Sequence, residues 1–244
     1  DASRTNCPQY FVEREAPDLV NARLSRDTRE LCYSAFAVLH SGVTRTPLWS
    51  AEHLTQQALS AARATIRLNR FHAEPHLPRT ERAELSDYAR SGYDRGHMAP
   101  SGDMPTPEAQ RESFSLANMI PQNPDNNRGL WEGIESAVRN LVRDGGELYV
   151  VTGPIFAGET LQRLNGRVLV PTAIFKAVYD PRRHQAAAYL VPNVEGKEWQ
   201  IVPIAELTKM VGVDVFPALP DAIKQKTMQL PAPTPHGYDK ESRR

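Results

Sequence analysis

The chain has 244 residues, and its 29 Lys plus Arg are matched by 29 Asp plus Glu, so the formal net charge is zero. That length suits one large domain or two small ones with a sizeable core. The balance excludes a surface that is basic throughout, so any site for a polyanion has to be local. No apolar run approaches the ~20 residues of a membrane-spanning helix.

Residues 1–27 carry no sustained period and read as an irregular arm. The opening DASRTNCPQY lacks a methionine, which fits a processed chain, with a trimmed one as the alternative. The stretch ELCYSAFAVLHSG, 30–42, alternates apolar and small residues and predicts a strand, with TPLWSAEHLT as its hairpin partner. Residues 56–65 favour helix. The next segment is rich in turns, with a short helical patch after Pro78. Pro107 suits the first helical position of a helix over 106–118, and PQNPDNNRG reads as a loop.

The clearest helix spans 127–146. Leu130, Trp131, Ile134, Val138, Leu141 and Val142 form its apolar face, and Gly145–Gly146 stops it. ELYVVTGPIF reads as a buried strand. RVLVPTAIFKAVYD and HQAAAYLVPN read as a strand pair joined at DPRR, and IAELTKMVGV as a short helix. One α+β domain over 28–228 follows, with a mobile tail over 229–244 that includes His236.

Two cysteines, Cys7 and Cys32, are too few for a four-cysteine zinc site. They can form one disulfide tying the arm to the first strand, worth roughly 3 kcal/mol in an oxidising compartment; two separate buried thiols are the alternative. His72 and His76 have a zinc-like spacing, but Pro75 between them opposes a regular helix and no third ligand is near. His40, His53 and His184 read as structural, Lys176 as a paired lysine on a strand, and Trp49 and Trp199 as packing residues.

The chemistry concentrates in SGYDRGHMAPSGDM, 91–104, where Arg95 and His97 flank one glycine just after Asp94. A histidine with an ordinary pKa of about 6.5 is a neutral base at physiological pH. Gly96 removes bulk beside it, so a large ligand could approach the backbone, and Arg95 offers charge to an anion. Downstream, Asn127, Trp131 and Glu135 are spaced i, i+4, i+8 and predict one broad helix face. On that face Trp131 anchors the core while Asn127 and Glu135 project into a cleft. A helix cap is the other reading of Asn127.

Together, YDRGHMAPSGDM and SLANMIPQNPDNNRGLWEGIE at this spacing closely resemble the sugar-non-specific endonucleases, the DNA/RNA non-specific family that includes secreted bacterial nucleases and mitochondrial endonuclease G. RLNRFHAEPHLP, YVVTGPIF and VPTAIFKAVYD are similar to further family segments, and the resemblance covers roughly 28–215. It implies the ββα-metal, or His-Me finger, fold: α+β, with a central, mostly antiparallel sheet flanked by helices. It implies that His97 is the general base and Asn127 the sole protein ligand of Mg2+, with Mn2+ able to substitute. Glu135 would orient metal-bound water, Asn118 support the site, and Arg67 contact phosphate. Arg95, within the D-R-G-H block, is a second candidate for anion contact.

Such an enzyme would hydrolyse DNA and RNA with little sequence preference, leaving 5′-phosphate and 3′-hydroxyl ends. Contacts confined to phosphate carry no sequence information. One neutral ligand suits magnesium, which keeps its waters and completes its shell on substrate. Arginines 63, 67, 70, 79, 82, 90 and 95 supply a local patch, so activity should fall with salt. A periplasmic or secreted bacterial setting is expected, with a mitochondrial one as the alternative; no membrane partner is expected, and a homodimer is compatible with the resemblance. A nucleic-acid-binding module on the same fold, weak in catalysis, is the competing function.

Overall fold

The computed structural model describes residues 4–234. The tail expected over 229–244 therefore lies outside them from 235 onward, His236 included. Its first residues are not a free tail: Leu230 is buried, as is Met228 just before the tail, and the Pro231 carbonyl accepts a 2.5 Å hydrogen bond from Tyr189. An apolar residue at every second position lets this segment close onto the sheet.

The arm begins with two short 3-10 turns and the strand β1 (Asp18–Leu19). It is irregular but built into the core, burying Cys7, Tyr10, Phe11, Val12 and Ala16. The disulfide between Cys7 and Cys32 forms. The region 30–42 is a hairpin rather than one strand: β2 (Thr28–Cys32) and β3 (Ala37–Ser41) meet at a turn closed by Tyr33 N–H donating to the Phe36 carbonyl. Stacked Tyr33 and Phe36 rings keep the apolar alternation running across that turn, which is why it reads as continuous strand. β4 (Thr46–Thr55) pairs with β3 as expected and runs straight into α1 (Gln56–Arg63), where the Thr55 hydroxyl caps the Ala58 amide.

Next come α2 (Leu85–Tyr88), β5 (Asp94–His97) and α3 (Pro107–Glu112). α3 carries Pro107 in its first turn but ends at Glu112, and a 3-10 turn covers 116–118. The expected loop after it is ordered backbone, β6 (Met119–Gln122) followed by α4 (Pro124–Arg128). The helix expected over 127–146 is broken. Gly129, at φ −116° and ψ −97°, separates α4 from α5 (Leu130–Gly145). Asn127 is therefore not on the helix that carries Trp131 and Glu135, and the shared face read from i, i+4, i+8 spacing does not exist. Pro124 and the Asn123 cap start α4 independently, and Gly129 has no side chain to hold the helical path.

β7 (Glu147–Ile155) is followed by a small β8–β9 pair (Arg163–Leu164, Val168–Leu169). β10 (Ala173–Asp180) and β11 (Gln185–Pro192) form the hairpin expected at DPRR. β12 (Gln200–Val202), α6 (Ile204–Val211), β13 (Val213–Asp214) and α7 (Asp221–Lys224) complete the described chain, with β13 pairing to β1.

Seven of these strands form one antiparallel sheet in the order β12-β11-β10-β7-β4-β3-β2. Its central strands are buried on both faces, so they read as nearly unbroken apolar runs. Val151, Phe175, Ala177 and Ala188 face the arm and α6, while Leu148, Val150, Ile174, Val178 and Tyr189 face α5. Each fully buried Val, Leu, Ile or Phe contributes roughly 1.5–3 kcal/mol. The α5 face thereby locks the β5–β6 pair and its helices onto the sheet, with Met98 and Ile120 in the same cluster as Trp131 and Ile134.

Candidate active site

The D-R-G-H block is strand β5, paired antiparallel with β6 so that Asp94 lies opposite Gln122, Gly96 opposite Ile120 and His97 opposite Met119. The order β5, β6, then α4 and α5 makes two strands followed by a helix. His97 projects against aromatic rings, edge-on to Phe114 with centroids 4.6 Å apart and tilted to Phe71 at 5.7 Å. Burial, then the positive charges of Arg67 and Arg95, lower its pKa to about 3, so the ring is neutral throughout the physiological range. Its Nε2 is enclosed and has no protein partner among the described residues.

Gly96 serves a different purpose from the one its sequence context suggested. The space above it is not left for a ligand. The buried Gln122 side chain fills it, and a methyl group there would lie 2.7 Å from Gln122 Cβ. Gln122 Nε2 donates in turn to Asn126 Oδ1 at 2.8 Å. The glycine allows β5 and β6 to close over a buried polar side chain that reaches α4.

Asn118 is fully buried and holds the chain just beyond His97. Its Oδ1 accepts from Ser50 Oγ and the Ala99 amide, and its Nδ2 donates to the carbonyls of Ala99 and Ser113. That uses all four positions of the amide. Asn118 supports the cleft from behind and does not line it.

A cleft of about 920 Å³ brings Arg67, Arg95, His97, Asn127 and Glu135 onto one wall system. Arg67, Arg90, Arg95, Arg128 and Arg139 line it against Asp94, Glu132 and Glu135, five cations to three carboxylates, so a chain of zero net charge concentrates positive charge here. The Arg95 guanidinium stacks 3.9 Å from the Phe71 ring centroid, and the Arg67 guanidinium carbon lies 5.4 Å from that of Phe114. Of the other arginines expected in the patch, Arg82 is committed to Glu84 and Arg70 faces a separate pocket.

Asp94 organises the metal-ligand candidate, a role not read from the sequence although the residue opens the block. Its Oδ2 accepts from Asn127 Nδ2 at 2.9 Å, and Arg128 grips both of its oxygens. A carboxylate accepts only, so this contact fixes which end of the Asn127 amide is nitrogen. The carbonyl oxygen is the atom left for a cation. A neutral oxygen donor beside a carboxylate matches the hard-ligand preference of magnesium. Among the described residues, the sole set of three or more His, Cys, Asp or Glu at metal-ligand spacing is Cys7, Glu30 and Cys32, where the disulfide occupies both sulfurs. His72 and His76 are engaged separately, at the Arg70 carbonyl and at Glu74.

Glu135 is half-buried in the cleft wall. Burial is the largest influence on its carboxyl; Lys176 and Arg139 pull the pKa down, Asp103 and Glu132 push it up, and it settles at about 7. Arg139, one turn further along α5, donates to Asp103 at 3.0 Å. Lys176 is buried, donates to Thr152 Oγ1 at 2.8 Å and lies 5.4 Å from the Trp131 ring centroid. Glu52, buried nearby, is held well above the usual carboxylate range by burial and by Asp103. The i, i+4 spacing of Glu135 and Arg139 was legible in the sequence; Glu52, Asp103 and Lys176 reach the site only through the fold. The other described histidines do not line the cleft: His40 is buried and its pKa lowered to about 4 by that burial, His53 pairs with Glu147 and stacks on Tyr149, and His184 meets the Tyr179 hydroxyl.

The pattern shared by DNA/RNA non-specific endonucleases matches residues 19–222. The chain belongs to that family. The match starts within the arm and extends past the 28–215 covered by motif resemblance. Among the family's named proteins, the chain is 34% identical over 208 residues to "Nuclease EXOG, mitochondrial" of Danio rerio, covering 77% of this chain and 60% of that one. It is 37% identical over 158 residues to a "Nuclease" of Nostoc sp., covering 64% of this chain and 56% of the relative. The chain thus spans little more than half the length of these two relatives. A solved structure of the EndoG/EndoGI complex superposes with a TM-score of 0.69 at 26% identity, covering 78% of this chain and 87% of that one. The fold is that of this family: a mostly antiparallel sheet flanked by helices, with the ββα unit on one face.

Proposed function

We propose that this chain is a metal-dependent endonuclease that hydrolyses phosphodiester bonds in DNA and RNA with little sequence preference, leaving 5′-phosphate and 3′-hydroxyl ends. The observation that carries the reading is a neutral His97 that lines the same arginine-rich cleft as Asn127 and Glu135.

A phosphodiester is anionic and repels nucleophiles, so hydrolysis needs a base, a positive field and a fixed line of attack. The His97 imidazole, which lines the cleft, accepts the proton of the attacking water. Arg67 and Arg95 attract the phosphate, and their stacking on Phe114 and Phe71 limits the positions their charges can take. Asp94 and Arg128 fix the Asn127 amide so that its oxygen faces a cation. Mg2+ is the ion this donor set suits, with Mn2+ as a substitute, and when bound it would supply charge to the scissile phosphate. Glu135 would orient water in the ion's shell, which requires its carboxylate form. Asn118 positions the backbone after His97.

The Cys7–Cys32 disulfide supports a periplasmic or secreted setting. The mitochondrial names among the relatives support the alternative. The test is cleavage of supercoiled plasmid and of total RNA by wild type and His97→Ala, with magnesium and with excess EDTA. Degradation of both substrates, stopped by EDTA and reduced ~10²–10⁴-fold by the substitution, is expected. Full activity in His97→Ala removes the base from the scheme. Binding without cleavage by folded wild type in either metal points to the nucleic-acid-binding module.

A further inference from the structure

Positive charge continues beyond the cleft, where α1 packs against α5. Gln56, the first residue of α1, donates through Nε2 to the Arg143 carbonyl near the end of α5 at 2.7 Å. Both helices then reach the cleft, at Ala62 and at Arg139. Arg63 follows Ala62 directly, and Arg139 and Arg143 are four residues apart on one face of α5. The Arg143 pKa is lowered, by burial first and then by the charges of Arg63 and Arg139. Asp103, the carboxylate that acts on Arg143 from the other direction, is already held by Arg139 at 3.0 Å. Arg63 is exposed, and neither it nor Arg143 has a carboxylate partner among the described residues; Arg143 donates only to the neutral Asn140 Oδ1, at 2.9 Å. Each arginine lies in the last turn of its helix, where the helix dipole favours one cation. That preference does not require the two to converge on Arg139. Like charges brought together raise the energy of the free protein, and a polyanion across them lowers it.

We propose that Arg63 and Arg143 form a phosphate-binding track that holds the nucleic-acid backbone where it leaves the cleft past Arg139. This track presupposes the nuclease reading. Arg143 is eight residues beyond Glu135 on α5, a rise of about 12 Å. One strand of a duplex presents a phosphate about every 3.4 Å along its axis, so the contacts fall about three or four nucleotides from the cleft. Guanidinium groups on phosphate read no base, in keeping with low sequence preference. They also give a chain of zero net charge a hold on a polyanion by position alone.

The test compares wild type with Arg63→Gln/Arg143→Gln. Binding of a fluorescein-labelled duplex of about 20 base pairs is followed by anisotropy in EDTA, without cleavage, from about 50 to about 200 mM salt. Each phosphate contact contributes about 0.9 to the slope of log affinity against log salt, so the double variant should flatten that slope by about 1.8. Arg63→Lys/Arg143→Lys keeps both charges and should restore it. The second readout is kcat/KM in magnesium on oligonucleotides of increasing length. Wild type should gain with length once the strand reaches the track, and the double variant should lose that gain while matching wild type on the shortest substrate. An unaltered salt slope in the double variant overturns the proposal. So does a lowered Tm with an unaltered slope, which is what a merely structural role at the helix ends would give, or an equal loss of kcat/KM on short and long substrates. If the double variant does not fold, Arg63→Gln, at an exposed position, must by itself flatten the slope by about 0.9. Inactivity of wild type on every substrate defeats the nuclease reading itself, a result distinct from the salt slope, which is measured without cleavage.

Discussion

Substituting Gly96 by alanine tests how the site is built. The new methyl group would overlap Gln122 Oε1 and lie 2.7 Å from its Cβ and 2.9 Å from its Cδ. Gln122 cannot simply swing aside, because it is fully buried and its Nε2 is bonded to Asn126. Overpacking of this kind costs about 1–3 kcal/mol, and breaking the buried Gln122–Asn126 hydrogen bond adds about 1 kcal/mol. A chain of this size loses about 2–4 °C per kcal/mol, so Tm should fall by about 5–15 °C. The consequence for activity is larger, since His97 is the next residue and β5 must shift to relieve the overlap. A displacement of about 1 Å at a reacting group can cost ~10²-fold in rate. Thermal unfolding and kcat/KM on plasmid would be measured for Gly96→Ala and for the double variant with Gln122→Ser, which removes Oε1 and Cδ but keeps Cβ and should therefore recover only part of the loss. A Gly96→Ala protein with wild-type Tm and wild-type cleavage refutes the reasoning, and would return the glycine to the role of admitting a ligand.

Asp94→Asn should raise the magnesium concentration needed for half-maximal activity by roughly 10–100-fold, because the carboxylate that orients Asn127 is lost; a metal titration checks it, and an unchanged midpoint contradicts it. The acid limb of kcat/KM should fall near pH 7, where the Glu135 carboxylate is lost, and should vanish in Glu135→Gln, since His97 stays neutral far below that. Lys176→Met removes the largest influence that lowers the Glu135 pKa, so this limb should move to higher pH. For stability the sign of the His97 contribution is opposite to that of Glu135. The depressed His97 pKa means that the unfolded chain takes up the proton first, so stability is lost as pH falls from 6.5 toward 3, and His97→Asn should flatten that loss in urea titrations. Breaking the Cys7–Cys32 link, which closes a separation of 25 residues, should cost about 3–4 kcal/mol in an entropic account, measured as a fall in the urea midpoint of Cys7→Ser/Cys32→Ser.

The sequence by itself determined the local chemistry and the main apolar periods. His97, Arg95 and Asp94 are adjacent in the chain, so their neighbourhood needs no tertiary information. The apolar runs of β7, β10 and β11 and the stripe on α5 follow from spacing alone. Tertiary structure decided what depends on partners far away in sequence. A helical repeat through Asn127, Trp131 and Glu135 looks continuous as letters, yet Gly129 breaks it, and Asn127 reaches the cleft because Asp94 holds it. Gln122 lies 26 residues from Gly96, and only the β5–β6 register shows that it fills the space above that glycine. The surroundings of Glu135 come from α5, from Lys176 on β10 and from Asp103 in the turn after β5, and so cannot be read from neighbouring residues alone. The irregular arm likewise has no period to reveal its burial, because its apolar residues match the shape of a sheet face rather than a repeat of their own. Local pattern specifies which element a residue joins, while a side chain's partner, pKa and free space are set by the chain segments that close around it.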